Sequence, residues 1–141
     1  MKRSAIPAAV ILPLALVVAI GSQGFLGPCV HEDGSFAACH WAGRALLGVG
    51  GLLVALSLMT LIAKARRMGE AIGAGLYLAM LPAAILGILT PNGLIALCGM
   101  DSMRCRMLMR PAMTILFALM LIVALAGVLL SRREDGRACK R

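Results

Sequence analysis

Charged side chains are absent from four long apolar stretches of this chain, and they gather at the boundaries between those stretches. The stretches cover residues of about 5–26, 45–63, 71–97 and 111–130. An α-helix rises 1.5 Å per residue, so about 20 residues cross the ~30 Å hydrocarbon core of a bilayer, and each stretch is long enough. The pattern predicts an all-α integral membrane protein. Its four transmembrane helices form two helical hairpins in a single domain spanning residues 1–141. Two further features locate helix details. Pro82 lies mid-span and should kink the third helix by freeing a carbonyl one turn back. Pro111 opens the fourth, where a missing N–H costs nothing.

Basic residues give the orientation. Lys2 and Arg3 precede the first stretch, Lys64, Arg66 and Arg67 fill the link between the second and third, and Arg132, Arg133, Arg137, Lys140 and Arg141 follow the fourth. That sets ten on one side against Arg44, Arg104, Arg106 and Arg110 on the other. Short loops rich in Lys and Arg stay in the cytoplasm, so the expected arrangement is N-in/C-in in a bacterial cytoplasmic (inner) membrane, with the hairpin tips outside. A cleaved signal peptide is the weaker reading of the first stretch. Its apolar run continues through Phe25 and Leu26 and carries Pro7 and Pro13, longer than a usual signal core.

Composition narrows the function. The chain has 141 residues, of which 61 % are hydrophobic, leaving no room for a soluble domain beside four spans. The net charge of +8 does not point to nucleic acid, because the basic residues sit at membrane boundaries rather than in one patch interleaved with aromatics. No stretch holds Asp, Glu, Lys or Arg in its interior, and Tyr77 and Thr60 are the most polar side chains available there. Pumps and transporters normally place an ionisable group near the midplane, so a self-sufficient transporter is disfavoured.

Small residues indicate helix contacts. Gly43 at the edge of the second stretch and Gly48, Gly50 and Gly51 in its first half form one cluster, and Gly69 and Gly73 make a GxxxG at the start of the third. Helices in lipid associate through close backbone approach, which glycine permits, so Gly48, Gly51, Gly69 and Gly73 are expected at helix interfaces. The two hairpins also resemble each other. A shift of 69 residues superposes Leu12-Pro13 on Leu81-Pro82, Gly24 on Gly93 and Cys29 on Cys98. A duplication would give a parallel repeat with its axis along the membrane normal.

Cysteine placement is the remaining chemical signal. Cys29, Cys39, Cys98 and Cys105 map to the outer loops, two per loop, while Cys139 lies in the cytoplasmic tail. Paired cysteines on the oxidising side suggest structural disulfides, with three connectivities open. Thiol–disulfide exchange is the alternative, although the spacings C-x9-C and C-x6-C differ from the C-x-x-C of disulfide-generating membrane oxidases. A soft-metal site comes third, with Cys39, His40, Met103 and Cys105 as weak candidates for Cu(I). Trp41 and Arg44 fit interface anchors, the indole at headgroup level and the guanidinium snorkelling toward water.

These motifs occur in a recognisable order: Pro28-Cys29, then Cys39-His40-Trp41 opening a Gly-rich second span, then Cys98-Gly99 and Met103-Arg104-Cys105. The chain resembles the small bacterial four-span proteins grouped as domain of unknown function 4418. The resemblance implies an integral membrane protein of unassigned activity and carries the four cysteines with it. It departs at Ala37-Ala38, where a more polar lead-in to Cys-His-Trp is expected. The expected function is an accessory or structural subunit of an envelope complex with a disulfide-stapled outer cap. Its partners would be the lipid bilayer and another membrane protein, with no catalytic residue, cofactor or nucleic acid.

Overall fold

The computed structural model describes residues 3–24, 38–66, 70–95 and 109–138. Among them the chain is helical throughout, with no strand. Helix α1 is Ile6–Gly21, α2 is Ala38–Ala65, α3 is Glu70–Leu89 and α4 is Arg110–Ala138. A 3-10 turn, Arg3–Ala5, leads into α1, and a π-helical turn, Thr90–Leu94, follows α3. Three helical segments are long and apolar enough to cross a membrane, His40–Ala65, Ala71–Leu94 and Arg110–Glu134; α1 is a shorter apolar helix of 16 residues.

The boundaries depart from the expected ones for identifiable reasons. Helix α1 stops at Gly21 rather than running to residue 26. Gly24 N–H donates to the Ile20 and Gly21 carbonyls and the Ser22 hydroxyl donates to the Ala19 carbonyl, closing the end as a tight turn. At 1.5 Å per residue α1 is about 24 Å long, and the preceding 3-10 turn adds about 6 Å. Helix α2 starts well before residue 45 and includes Cys39, His40, Trp41 and Arg44. At the end of α3, Pro91 has no N–H to donate, and the turn widens so that Ile95 N–H reaches the Thr90 carbonyl at 3.1 Å. Helix α4 continues past residue 130 through Ser131-Arg132-Arg133-Glu134, good helix formers for the most part. Pro13 and Pro82 both lie inside continuous helices with their rings exposed.

Each helix packs against the next, and α4 closes the ring against α1. Ile11 and Val18 of α1, Leu46 and Leu53 of α2, Tyr77 and Met80 of α3, and Met113, Phe117 and Met120 of α4 fill the middle. The outward side of the bundle is apolar as well: Leu52, Met59, Ile85, Ile115, Ile122 and Leu129 are among many large exposed side chains there. A surface of this kind suits a lipid bilayer rather than water.

The 69-residue shift relates more than the two Leu-Pro pairs. Of the 21 positions from Ser4 to Gly24, 18 share their burial class with the residue 69 further on, so α1 and α3 turn the same faces inward. A helical stripe recurs every 3.6 residues, so agreement of phase alone singles out about one shift in four. The ends of the hairpins add an independent likeness. Gln23, past α1, donates its side-chain amide to the Gly43 carbonyl of α2 at 3.0 Å; Asn92, its counterpart past α3, donates to the Thr114 hydroxyl of α4 at 2.9 Å.

Candidate functional site: a polar latch inside one end of the bundle

The buried polar side chains concentrate at the end where α1 begins and α2 and α4 run out. On α2 the buried face changes from Leu53 to Ser57, Thr60 and Lys64, at spacings of four, three and four residues that keep them on one side of the helix. Ser57 and Thr60 donate their hydroxyls to the Leu53 and Leu56 carbonyls one turn back, each at 2.7 Å. Such back-bonding satisfies a hydroxyl in an apolar interior without a partner helix.

Lys64 extends this face into the packed end of the bundle and is only 8 % exposed. Its ammonium donates to the Ser131 hydroxyl of α4 at 3.5 Å. Its stem fills the space left by Gly73 of α3, where an added Cβ would come within 2.6 Å of Lys64 Cε. Lys64 thus touches three helices. Lys64 therefore belongs to α2 rather than to the link expected between the second and third spans, and its side chain folds back into the bundle.

Among the described residues Tyr77 is the largest fully buried side chain. Its hydroxyl donates to the Ser4 carbonyl at 2.7 Å and accepts from the Ala8 N–H at 3.1 Å. Ala8 is in the first turn of α1, where backbone donors have no intrahelical acceptor, so Tyr77 caps that helix from the side. The Ser4 hydroxyl donates to Glu134 of α4 at 2.6 Å. Through these contacts the start of α1 is fastened to α3 and α4 together. Among the described residues, every buried side-chain nitrogen or oxygen has a hydrogen-bond partner. Chemically the arrangement holds an amine, a phenol, hydroxyls and a carboxylate in fixed pairings, and it serves to lock helices in register.

At the opposite end, Arg110 Nε donates to Asn92 Oδ1 at 2.9 Å, and Asn92 reaches both the Ile88 carbonyl and Thr114. This joins the end of α3 to the start of α4. His40 and Trp41 sit edge to face, with centroids 6.0 Å apart; Trp41 is exposed, as is Arg44.

The glycines sort differently from the sequence expectation. Gly48 and Gly51 are exposed on the outward face of α2, with open space where a Cβ would be. The close approach is made by Gly50, whose Cβ would lie 3.1 Å from the Ala19 nitrogen of α1. One residue turns a helix by about 100°, so glycines in a cluster face different ways. Gly73 lies inside, against Lys64, while Gly69 is outside the described residues. Two further contacts have no signal in the spacing of small residues. Gly127 of α4 leaves room for the Tyr77 ring, and Gly87 of α3 leaves room for the Phe117 ring.

Cys29, Cys98, Met103, Cys105 and Cys139 lie outside the described residues. Cys39 belongs to the first turn of α2 by its backbone. Among the described residues no three His, Cys, Asp or Glu side chains come together as a metal-binding group.

No curated protein and no solved structure matches the chain. A family match covers residues 11–130, from within α1 to the last apolar turn of α4, and so takes in α2 and α3 whole and most of α1 and α4. The chain therefore belongs to the family described as Domain of unknown function (DUF4418).

Proposed function

We propose that this protein is a small multi-pass subunit of the bacterial cytoplasmic membrane, with both termini cytoplasmic, that stabilises or completes a larger envelope complex. The observation that carries this reading is the commitment of the interior. Lys64, Tyr77, Ser4, Ser131 and Glu134 are engaged helix to helix at one end, and rings seated on glycines fill the middle. The bundle is built to hold a shape. Its apolar exterior, with Lys64, Arg66, Arg132 and Arg133 at one end and Arg44 and Arg110 at the other, supports a membrane placement in the N-in/C-in sense. The disulfide-stapled cap at the hairpin tips is part of the same reading.

The outward face of α2 supports the accessory role. Gly48, Gly51 and Ala55 are exposed there at spacings of three and four residues, an arrangement that lets a helix of another membrane protein approach closely. The test is native electrophoresis of the tagged protein extracted from its own membrane in mild detergent. The protein should migrate in a complex well above its own 14.7 kDa, and Gly48→Leu with Gly51→Leu should release it while its own melting temperature stays unchanged. A chain that migrates alone, and whose thiols cycle between oxidised and reduced states with a soluble donor, would favour thiol–disulfide exchange instead.

A further inference from the structure

Between α1 and α4, on the outward side, an apolar groove of about 400 Å³ opens where Ile6, Pro7 and Val10 face Ile122, Ala126 and Leu130. A volume of this order lies within the range of small-molecule sites, and here the lining offers only hydrocarbon. The charge appears where the groove ends. Arg133 is exposed and lies three residues beyond Leu130 and seven beyond Ala126, which continues the groove's wall on α4. On the other wall Arg3 precedes Ile6 by three residues, in the 3-10 turn. An apolar trough with an exposed arginine at its mouth matches one ligand chemistry: an acyl chain carrying an anionic head.

We infer that this groove is a binding site for an anionic phospholipid, with one acyl chain between α1 and α4 and the phosphate at the level of Arg3 and Arg133. Basic positions at the cytoplasmic ends of membrane helices attract such headgroups. A second copy of this chain is the poorer occupant. A two-fold contact brings the same patch against itself, and the arginines at the two mouths would then repel one another. The inference rests on the membrane placement proposed above.

The experiment is lipid titration of the purified full chain in neutral detergent, read by native mass spectrometry, with phosphatidylglycerol and phosphatidylcholine of identical acyl chains. Phosphatidylglycerol should bind more tightly. Arg133→Gln should weaken it about fivefold, the effect of one basic residue near an anionic surface, whereas Arg66→Gln on α2 should not. Ala126→Trp fills the groove from an exposed position and leaves the charge in place; it should weaken phosphatidylglycerol as well. Equal affinity for the two lipids would overturn the site, and so would unchanged binding in the Ala126→Trp variant. A dimer in detergent that Ala126→Trp dissolves would assign the groove to a second copy and refute the lipid. Purification of the chain as a monomer without any detergent would contradict the membrane placement itself.

Discussion

The two hairpins are held together by different means. In the α3–α4 pair, Tyr77 of α3 sits on Gly127 of α4, and Phe117 of α4 sits on Gly87 of α3. These reciprocal contacts are ten residues apart on both helices, as a single antiparallel register requires. Among the described residues, no ring sits on a glycine in this way in the α1–α2 pair. There Gly50 lets the α2 backbone approach Ala19 of α1, and the start of α1 depends on hydrogen bonds to the other hairpin through Tyr77 and Glu134. Each pair has a polar tie at its tip, Gln23 to Gly43 and Asn92 to Thr114, but beyond it one hairpin interlocks by shape and the other leans on polar bonds to its neighbour. Similar sequence halves with matching buried stripes have thus reached stability by separate routes, and they should fail separately.

The largest expected effect comes from filling both notches. Gly87→Leu and Gly127→Leu each force a ring out of its place, at about 1–3 kcal/mol apiece, and sites this far apart should add. Thermal unfolding in detergent should show the double variant losing the α3–α4 hairpin first. An unchanged midpoint would mean that the rings repack freely and that shape does not fix this pair.

Cysteine replacement sharpens the comparison at the other end of the hairpins. On the disulfide proposal, the protein purified without reductant carries two bridges and a free Cys139, countable by mass spectrometry after alkylation. Cys29→Ser should then cost about 2–4 kcal/mol for its lost bridge. If each tip is closed on itself, only the first hairpin should loosen. If the bridges cross between tips, both should.

How much of this was legible in the sequence can be seen in particular residues. The helix count was legible because charge-free runs are dictated by the cost of burying ions in hydrocarbon. The ends were less so, since Arg44 and Arg132 tolerate helix where a charge count suggests loop. The polar latch has a signal in the sequence: Ser57, Thr60 and Lys64 follow helical spacing on one face, which marks a stripe rather than a linker. Tyr77 stood out as polar in the third stretch, but its partners are set by how four helices meet, and no local pattern encodes that. The same limit explains the choice of Gly50 over Gly48 and Gly51, because spacing along a helix does not reveal which face a neighbour covers.

Smaller effects separate the hairpins further. Tyr77→Phe keeps the ring on Gly127 and removes only the hydroxyl, leaving the Ser4 carbonyl and the Ala8 N–H unpaired at a cost of about 1–3 kcal/mol. Gly48→Leu and Gly51→Leu should lie within about 0.5 kcal/mol of the parent in the isolated protein, as for exposed positions generally. A large loss in either would place a neighbouring helix of this chain on the outward face of α2.

The most direct test of the difference between the hairpins is hydrogen exchange on the protein in lipid nanodiscs, comparing residues 10–16 of α1 with their counterparts 79–85 of α3. The account predicts that α1 exchanges faster in the parent, and that Tyr77→Phe accelerates residues 10–16 by about tenfold or more while leaving 79–85 nearly unchanged. Equal protection of the two helices, or a uniform acceleration of both by Tyr77→Phe, would contradict it.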